Sequence, residues 1–438
     1  MKKVAFYTLG CKLNFSETST IARLFENEGY VKVNFDDGAD IYVINTCSVT
    51  ENADKKCRKI VQEARRFAGD PYIVVMGCYA QLKPEEIADI PGVDAVLGAA
   101  EKFRLFEYLK NFEKKPAATI HSAGIEEARD FHHAFSLNDR TRTFLKVQDG
   151  CDYSCSFCTI PLARGKSRSD TIENIQKNAL SVAEQGVKEI VLTGVNTGDF
   201  GIRDGKRENK LIDLLYRLDS VSGIDRFRIS SIEPNLLTDE IISFVAGSEK
   251  FVPHFHIPLQ SGSDNILKKM KRRYLSALYQ DRVDSIKARM PNACIGADLI
   301  VDIPGETDVD FLKTYEFVRD LNVSYLHVFP YSERANTMAA EMDHIVPLKV
   351  RNERSRMLRN LSIKKRRNFY RENLGTTESV LFENDVENGK MYGFTRNYIR
   401  VSAKYDPVLI NEILPVYLKE LNPEGYVEVA EPEPKLTI

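Results

Sequence analysis

The amino-acid sequence predicts an α/β protein in three parts: an amino-terminal open parallel α/β sheet, a central partial (β/α)6 barrel of the TIM type, and a small carboxyl-terminal antiparallel β-barrel. Three observations carry that prediction. Short apolar runs alternate with polar, helix-forming stretches through most of the chain. The length of 438 residues exceeds one ordinary core and suggests two or three domains. After about residue 372 the runs become short and alternating, with turn signals between them.

In the first part, spanning residues 1–113, Val4-Ala5-Phe6-Tyr7, Ile41-Tyr42-Val43-Ile44 and Tyr72-Ile73-Val74-Val75 are continuous apolar runs. Strands buried on both faces of a parallel sheet require such runs. From Lys114 to Arg140 the pattern dissolves into Lys-Lys-Pro, Ala, Gly and mixed charges, which predicts a linker over 114–140. The barrel occupies 141–371. Its strands are expected at 144–147, 189–192, 226–229, 254–257, 297–301 and 325–329, with chemistry at their carboxyl ends. The last part, 372–438, has strand candidates at 379–382, 391–394 and 398–401.

Composition narrows the function. Hydrophobic content is 43% with no apolar run long enough to span a bilayer, so no membrane partner is expected. Met1-Lys2-Lys3 leads into no sustained apolar region, which points to the cytoplasm. A net charge of -2 gives no global pull toward nucleic acid, so any such contact must come from local basic patches. Eight cysteines are too few for a disulfide scaffold and favour metal or redox use.

Their grouping is the main signal. Cys151, Cys155 and Cys158 supply three thiols within eight residues, just after the first barrel strand. Three thiolates on a four-iron cluster leave one iron open at a barrel mouth, which suits catalysis. A structural zinc with a remote fourth ligand, such as His256 or His327, is the alternative reading. Cys11, Cys47 and Cys78 each follow one of the amino-terminal strands and so converge at the carboxyl edge of that sheet, where open α/β sheets bind ligands. Singly each would read as a buried free thiol, and Cys57 and Cys294 keep that reading.

The Cys-x-x-x-Cys-x-x-Cys spacing resembles the radical S-adenosylmethionine superfamily. Gly10-Cys11-Lys12-Leu13-Asn14, Asn45-Thr46-Cys47-Ser48-Val49-Thr50 and Gly77-Cys78-Tyr79-Ala80-Gln81 resemble the amino-terminal domain of the methylthiotransferases within it. Gln148-Asp149-Gly150-Cys151, Ile160-Pro161, Arg164-Gly165, residues 230–234, Gln260-Ser261-Gly262 and Pro304-Gly305-Glu306-Thr307 extend the resemblance over nearly the whole chain. Relatives commonly show Gly-Phe ahead of that last motif, where this chain has Asp302-Ile303. The resemblance implies two 4Fe-4S clusters, a catalytic one on Cys151, Cys155 and Cys158 and an auxiliary one on Cys11, Cys47 and Cys78, together with S-adenosyl-L-methionine. The carboxyl-terminal module resembles the RNA-binding TRAM domain.

Lys12-Leu13-Asn14 is similar to the branch acting on N6-threonylcarbamoyladenosine at position 37 of tRNA, whereas the isopentenyladenosine branch usually shows Gln-Met-Asn. A ribosomal-protein side chain is a further alternative substrate. No acid/base pair is assigned, because the resemblance puts the chemistry in the clusters and the cofactor. Strand-end residues Gly194, Asn196, Ser231, Glu233, Gln260 and Tyr331 are the candidates for holding S-adenosylmethionine. Their alternative is turn or capping chemistry. Arg356, Arg359, Lys364, Lys365, Arg366 and Arg367 on a helix-compatible basic run, with Arg396 and Arg400 beyond it, are the candidates for tRNA phosphates. The expected partners are the tRNA anticodon stem-loop, an electron donor such as flavodoxin or ferredoxin, and a sulfur donor.

Overall fold

The computed structural model describes residues 1–48, 51–137 and 140–430, with only the backbone for 51–53. Val49 and Thr50 of the second cysteine motif and the end of the carboxyl-terminal module therefore lie outside the described residues. Strands β1 (Lys3–Thr8), β2 (Val31–Lys32), β3 (Ile41–Thr46), β4 (Tyr72–Gly77), β5 (Ala95–Leu97) and β6 (Thr119–His121) form one parallel sheet in the order β2-β1-β3-β4-β5-β6. Every residue of β3 and β4 is buried, which accounts for their unbroken apolar runs. Along β3, Ile41 and Val43 face the helix Lys12–Asn27 through Ile21 and Phe25, while Tyr42 and Ile44 face the helix Glu51–Ala68 through Ile60, Val61 and Ala64. Two faces covered by crossover helices bury the whole sheet.

The stretch expected as a linker is only partly one. Thr119–His121 is the sixth strand of this sheet, pairing with Ala95–Leu97. Further on, Phe135 bridges Leu145 in antiparallel fashion, and Arg23 Nη2 donates to the Phe135 carbonyl at 2.8 Å. Residues 119–137 thus stitch the first domain to the second. Two three-residue strands with one or two large apolar side chains each, at Ala95–Leu97 and Thr119–His121, carry too little periodicity to read from sequence.

Six parallel strands make the partial barrel: β7 (Thr143–Lys146), β10 (Glu189–Thr193), β13 (Arg226–Ile229), β14 (His254–Gln260), β15 (Cys294–Val301) and β16 (Tyr325–Pro330). Within it, β7-β10-β13 and β14-β15-β16 pair as two parallel groups, joined by bridges from Phe227 to Phe251 and from Ser231 to His256. Two antiparallel ribbons decorate it, β8 (Gln148–Asp149) with β9 (Arg168–Ser169) and β11 (Ile202–Arg203) with β12 (Lys206–Arg207). Outward residues Leu145, Ile190, Leu192, Phe227, Phe255, Ile257, Ile295, Ala297, Leu299 and Leu326 build the main core against the surrounding helices. Alternation then turns Glu189, Arg226, Arg228, His254, His256, Asp298, Tyr325 and His327 inward. A barrel of this type ordinarily packs its interior with branched apolar layers. This lumen is polar.

The carboxyl-terminal module is a closed barrel of β17 (Thr377–Glu387), β18 (Lys390–Thr395), β19 (Arg400–Lys404), β20 (Ile413–Leu421) and β21 (Val427–Val429), in the order β17-β18-β19-β21-β20. The run expected as a strand from Tyr398 begins at Arg400 instead, because Tyr398 sits in a turn with φ +66°. That turn docks on the amino ends of the central strands. The Tyr398 ring stacks on His254 at 4.2 Å between centroids, and Arg226 donates to the Ser379 carbonyl at 2.7 Å and to the Phe394 carbonyl at 3.1 Å. A 25-residue helix, Leu348–Glu372, links the two barrels and packs Leu358 and Leu361 into the main core. Among the described residues no helix is long and apolar enough to cross a membrane.

Candidate active site

The compact thiol triad lies on the loop after β8, at the carboxyl end of the barrel. Gly150 makes that loop possible: its φ is +68°, and a Cβ there would lie 1.9 Å from the Lys166 carbonyl oxygen. The Cys151 amide then donates to the Gly165 carbonyl at 3.0 Å, folding the loop back on itself. Backbone amides of Tyr153 and Ile160 donate to Cys151 Sγ and Cys158 Sγ, both at 3.4 Å, and Arg272 Nη1 donates to Cys155 Sγ at 3.1 Å. Burial, with the neighbouring thiols adding to it, pushes Cys151 and Cys158 up to about 12. Three gathered thiols with N–H donors aimed at sulfur fit an iron–sulfur cluster, whose iron deprotonates the thiols on binding. The two imidazoles considered as a fourth zinc ligand point elsewhere: His256 Nε2 and His327 Nδ1 lie 2.7 and 3.2 Å from Asp298 Oδ1.

The dispersed triad is assembled by the sheet. Cys11 precedes the helix Lys12–Asn27, Cys47 follows β3 and Cys78 begins the helix Cys78–Leu82. Asn14 ties the first two together by donating to the Leu9 carbonyl at 2.8 Å and the Thr46 carbonyl at 2.9 Å. Gly10 permits the approach, since a Cβ on it would lie 2.8 Å from Cys47 Cβ. Burial raises the Cys78 thiol, and Arg164 and Lys102 pull it partly back. Cys57 and Cys294, in contrast, are buried in apolar cores and pushed up to about 12 by that burial.

A buried charge network joins the two triads, and sequence reading missed it. Glu17, fully buried, takes Lys102 Nζ at 2.6 Å, Lys146 Nζ at 3.0 Å and Arg164 Nη1 at 3.1 Å. Asp149 takes Lys146 at 2.7 Å, Arg164 at 2.9 Å and Arg168 at 3.2 Å. Four cations thus share two carboxylates, and the surplus positive charge suits nearby thiolates. Arg164 ends the helix Ile160–Arg164, which follows Cys158 and packs on the helix begun by Cys78.

Of the residues expected to hold S-adenosylmethionine, Gln260 and Tyr331 line a cavity of about 280 Å³ with Cys158, Thr159, Asp298 and Phe329. Gln260 Oε1, Tyr331 OH and Asn196 Nδ2 are buried without hydrogen-bond partners among the described residues, as polar atoms awaiting a ligand would be. Glu233 is engaged by Arg272. Ser231 is half-buried, and its backbone accepts from Thr197. Gly194 abuts the Gln148 side chain, which leaves no room for a Cβ. Asp302 has a left-handed backbone at φ +68° and is bonded by Arg354.

The basic residues divide. Arg356, Arg359, Lys364 and Arg366 are exposed on the long helix and Arg367 is half-exposed. Lys365 is spent within the fold, its Nζ donating to the Arg319 and Leu321 carbonyls at 3.0 and 2.7 Å. Arg396 is half-buried beside the barrel, and Arg400 pairs with Asp385 at 3.0 Å over the rings of Tyr392 and Tyr426.

Residues 3–98 match the uncharacterized protein family UPF0004, and residues 145–318 match the radical SAM superfamily. The threonylcarbamoyladenosine tRNA methylthiotransferase MtaB of Bacillus subtilis is 40% identical over 99% of this chain and 98% of its own. That of Aquifex aeolicus is 38% identical over 92% and 97%. The tRNA-2-methylthio-N(6)-dimethylallyladenosine synthase of Pelotomaculum thermopropionicum is 31% identical over 95% of each chain. Among solved structures, the radical S-adenosylmethionine methyltransferase TsrM of Kitasatospora setae shares the fold, with a TM-score of 0.57 at 13% identity over 77% of this chain and 74% of that one. With both thiol triads present and relatives matching from end to end, the chain belongs to the radical S-adenosylmethionine methylthiotransferase family, on its MtaB branch.

Proposed function

We propose that this enzyme converts N6-threonylcarbamoyladenosine at position 37 of tRNA to its 2-methylthio derivative. The observation that carries the reading is the packing of the helix begun by Cys78 on the helix that follows Cys158, which brings a second thiol triad to the mouth of a barrel that already holds one. The bound clusters and S-adenosylmethionine supply radical formation, sulfur and methyl. The chain's own residues position and shield. Arg272 holds Cys155 and Glu233 together, Gln260, Tyr331 and Asn196 offer unpaired polar atoms to the cofactor, and the network on Glu17 fixes one triad against the other.

An electron donor of the flavodoxin or ferredoxin class and a sulfur donor complete the cycle, in the cytoplasm where tRNA is matured. Exposed Arg356, Arg359, Lys364 and Arg366 are the phosphate contacts of this reading. Expression in a host without methylthiotransferases, followed by mass spectrometry of tRNA nucleosides, tests it. Appearance of 2-methylthio-threonylcarbamoyladenosine is the expected result. A 2-methylthio-isopentenyladenosine product, or no methylthiolated nucleoside, overturns it.

A further inference from the structure

Among the described residues, one cation of the polar lumen is not satisfied by the fold. Lys12 is the first residue of the helix Lys12–Asn27, which lies along β7 and meets it through the Phe15 and Phe144 rings at 5.8 Å. Lys12 and Phe15 are three residues apart, so they share the helix face turned to the lumen. There burial, and then the charges of Arg142 and Arg228, lower the Lys12 amine to about 8, while Cys11 and Asp298 pull it partly back up.

The other lumen cations have partners. Arg228 pairs with Glu189 at 2.9 Å, Arg226 reaches the same carboxylate at 3.8 Å, and Arg142 pairs with Glu383 at 2.8 Å. Asp298 is already taken by two imidazoles. Among the described residues Lys12 makes no hydrogen bond or ion pair, and a half-buried amine without a counterion is costly. The lumen below is closed by Tyr398, stacked on His254, with Phe394 stacked on Tyr398 at 4.7 Å. A lumen closed at that end admits a side group and excludes a continuous phosphate backbone. Asp298, whose charge reaches the Lys12 amine, also lines the cavity shared with Cys158, where the base would react.

We propose that Lys12, backed by Arg142 and Arg228, is the lumen subsite that takes the carboxylate of the amino-acid substituent on the substrate base. This rests on the threonylcarbamoyladenosine reading above, since threonine brings that carboxylate. The subsite makes Lys12 a specificity determinant: a neutral alkyl substituent offers it nothing and leaves the amine unpaired.

The test is fluorescence anisotropy of the two-cluster enzyme with anticodon stem-loops carrying threonylcarbamoyladenosine, its carboxyl methyl ester, or adenosine. The acid is expected to bind about tenfold more tightly than the ester. Lys12→Gln abolishes that difference at unchanged iron content, and Lys12→Arg keeps it. Equal binding of acid and ester by the wild-type enzyme overturns the subsite without needing any variant. An equal loss on all three RNAs in Lys12→Gln also overturns it, because that pattern marks a phosphate contact. Product analysis on the same RNAs separates the two claims. If the acid RNA is methylthiolated while acid and ester bind alike, only the subsite fails; if the acid RNA is never methylthiolated, the substrate reading fails and the subsite falls with it.

Discussion

The two thiol triads are built in opposite ways. Cys151, Cys155 and Cys158 lie on one loop, so their proximity is local and depends chiefly on Gly150 and Gly165 turning the chain back. Cys11, Cys47 and Cys78 come from three strand ends and are held only if the sheet, the helix Lys12–Asn27 and the barrel all dock. Local sequence secures the first against partial unfolding. The second depends on a buried interdomain network and is the more fragile.

Replacing each triad with alanine tests that independence and should give the largest effects. Loss of Cys151, Cys155 and Cys158 should remove about half of the iron and all cleavage of S-adenosylmethionine. Loss of Cys11, Cys47 and Cys78 should remove the other half and leave cleavage intact. Iron assay and 5'-deoxyadenosine chromatography measure both, and cleavage lost in both variants would show that the sites are not separable.

Glu17→Ala should come next, because it strips Lys102, Lys146 and Arg164 of a shared carboxylate. The expected cost is about 3–5 kcal/mol, seen in denaturant unfolding, with iron lost from the dispersed triad first. Equal iron loss from both triads would contradict the contrast. Gly10→Ala is expected to cost roughly 1–3 kcal/mol, since φ is +109° and the new Cβ meets Cys47. Its iron loss should again be confined to the dispersed site.

Acid provides the smallest and most graded probe. Burial alone would raise Glu17 and Asp149, but the surrounding Arg164, Lys102, Lys146 and Arg168 outweigh it and hold both carboxyls well below their ordinary range. A depressed folded-state pKa contributes stability that is complete above the unfolded value, about 4–4.5, and is lost as pH falls below it. The apoprotein should therefore lose unfolding free energy on acidification below about pH 5, at up to about 1.4 kcal/mol per pH unit for each carboxylate, with a falling Tm. Calorimetry of Glu17→Gln should show a shallower fall; an unchanged slope would remove Glu17 from the account.

The same contrast explains what could be read from the chain. The compact triad is legible because its spacing is its geometry. All six barrel strands were anticipated, since their outward residues form apolar runs against the helices, and the dispersed triad followed from cysteines placed after strands. The network was not legible: Glu17, Lys102 and Lys146 are ordinary charged residues until the fold places them together, 85 and 129 residues from Glu17 in sequence. The polar lumen left a trace in Arg226-Phe227-Arg228 and His254-Phe255-His256, where charge alternates with aromatic residues, but its closure by Tyr398 depends on a domain packing that no local pattern encodes.

That closure also sets an order of synthesis. Arg226 reaches Ser379 and Phe394, 153 and 168 residues further along the chain, so a growing polypeptide carries every thiol of the two triads long before the lumen has a floor. Domains fold as they leave the ribosome, amino terminus first. A nascent chain stopped before residue 377 owns all six thiols of the two triads and a barrel not yet closed at its amino end. The carboxyl-terminal module closes the amino end of the barrel only once it has been translated.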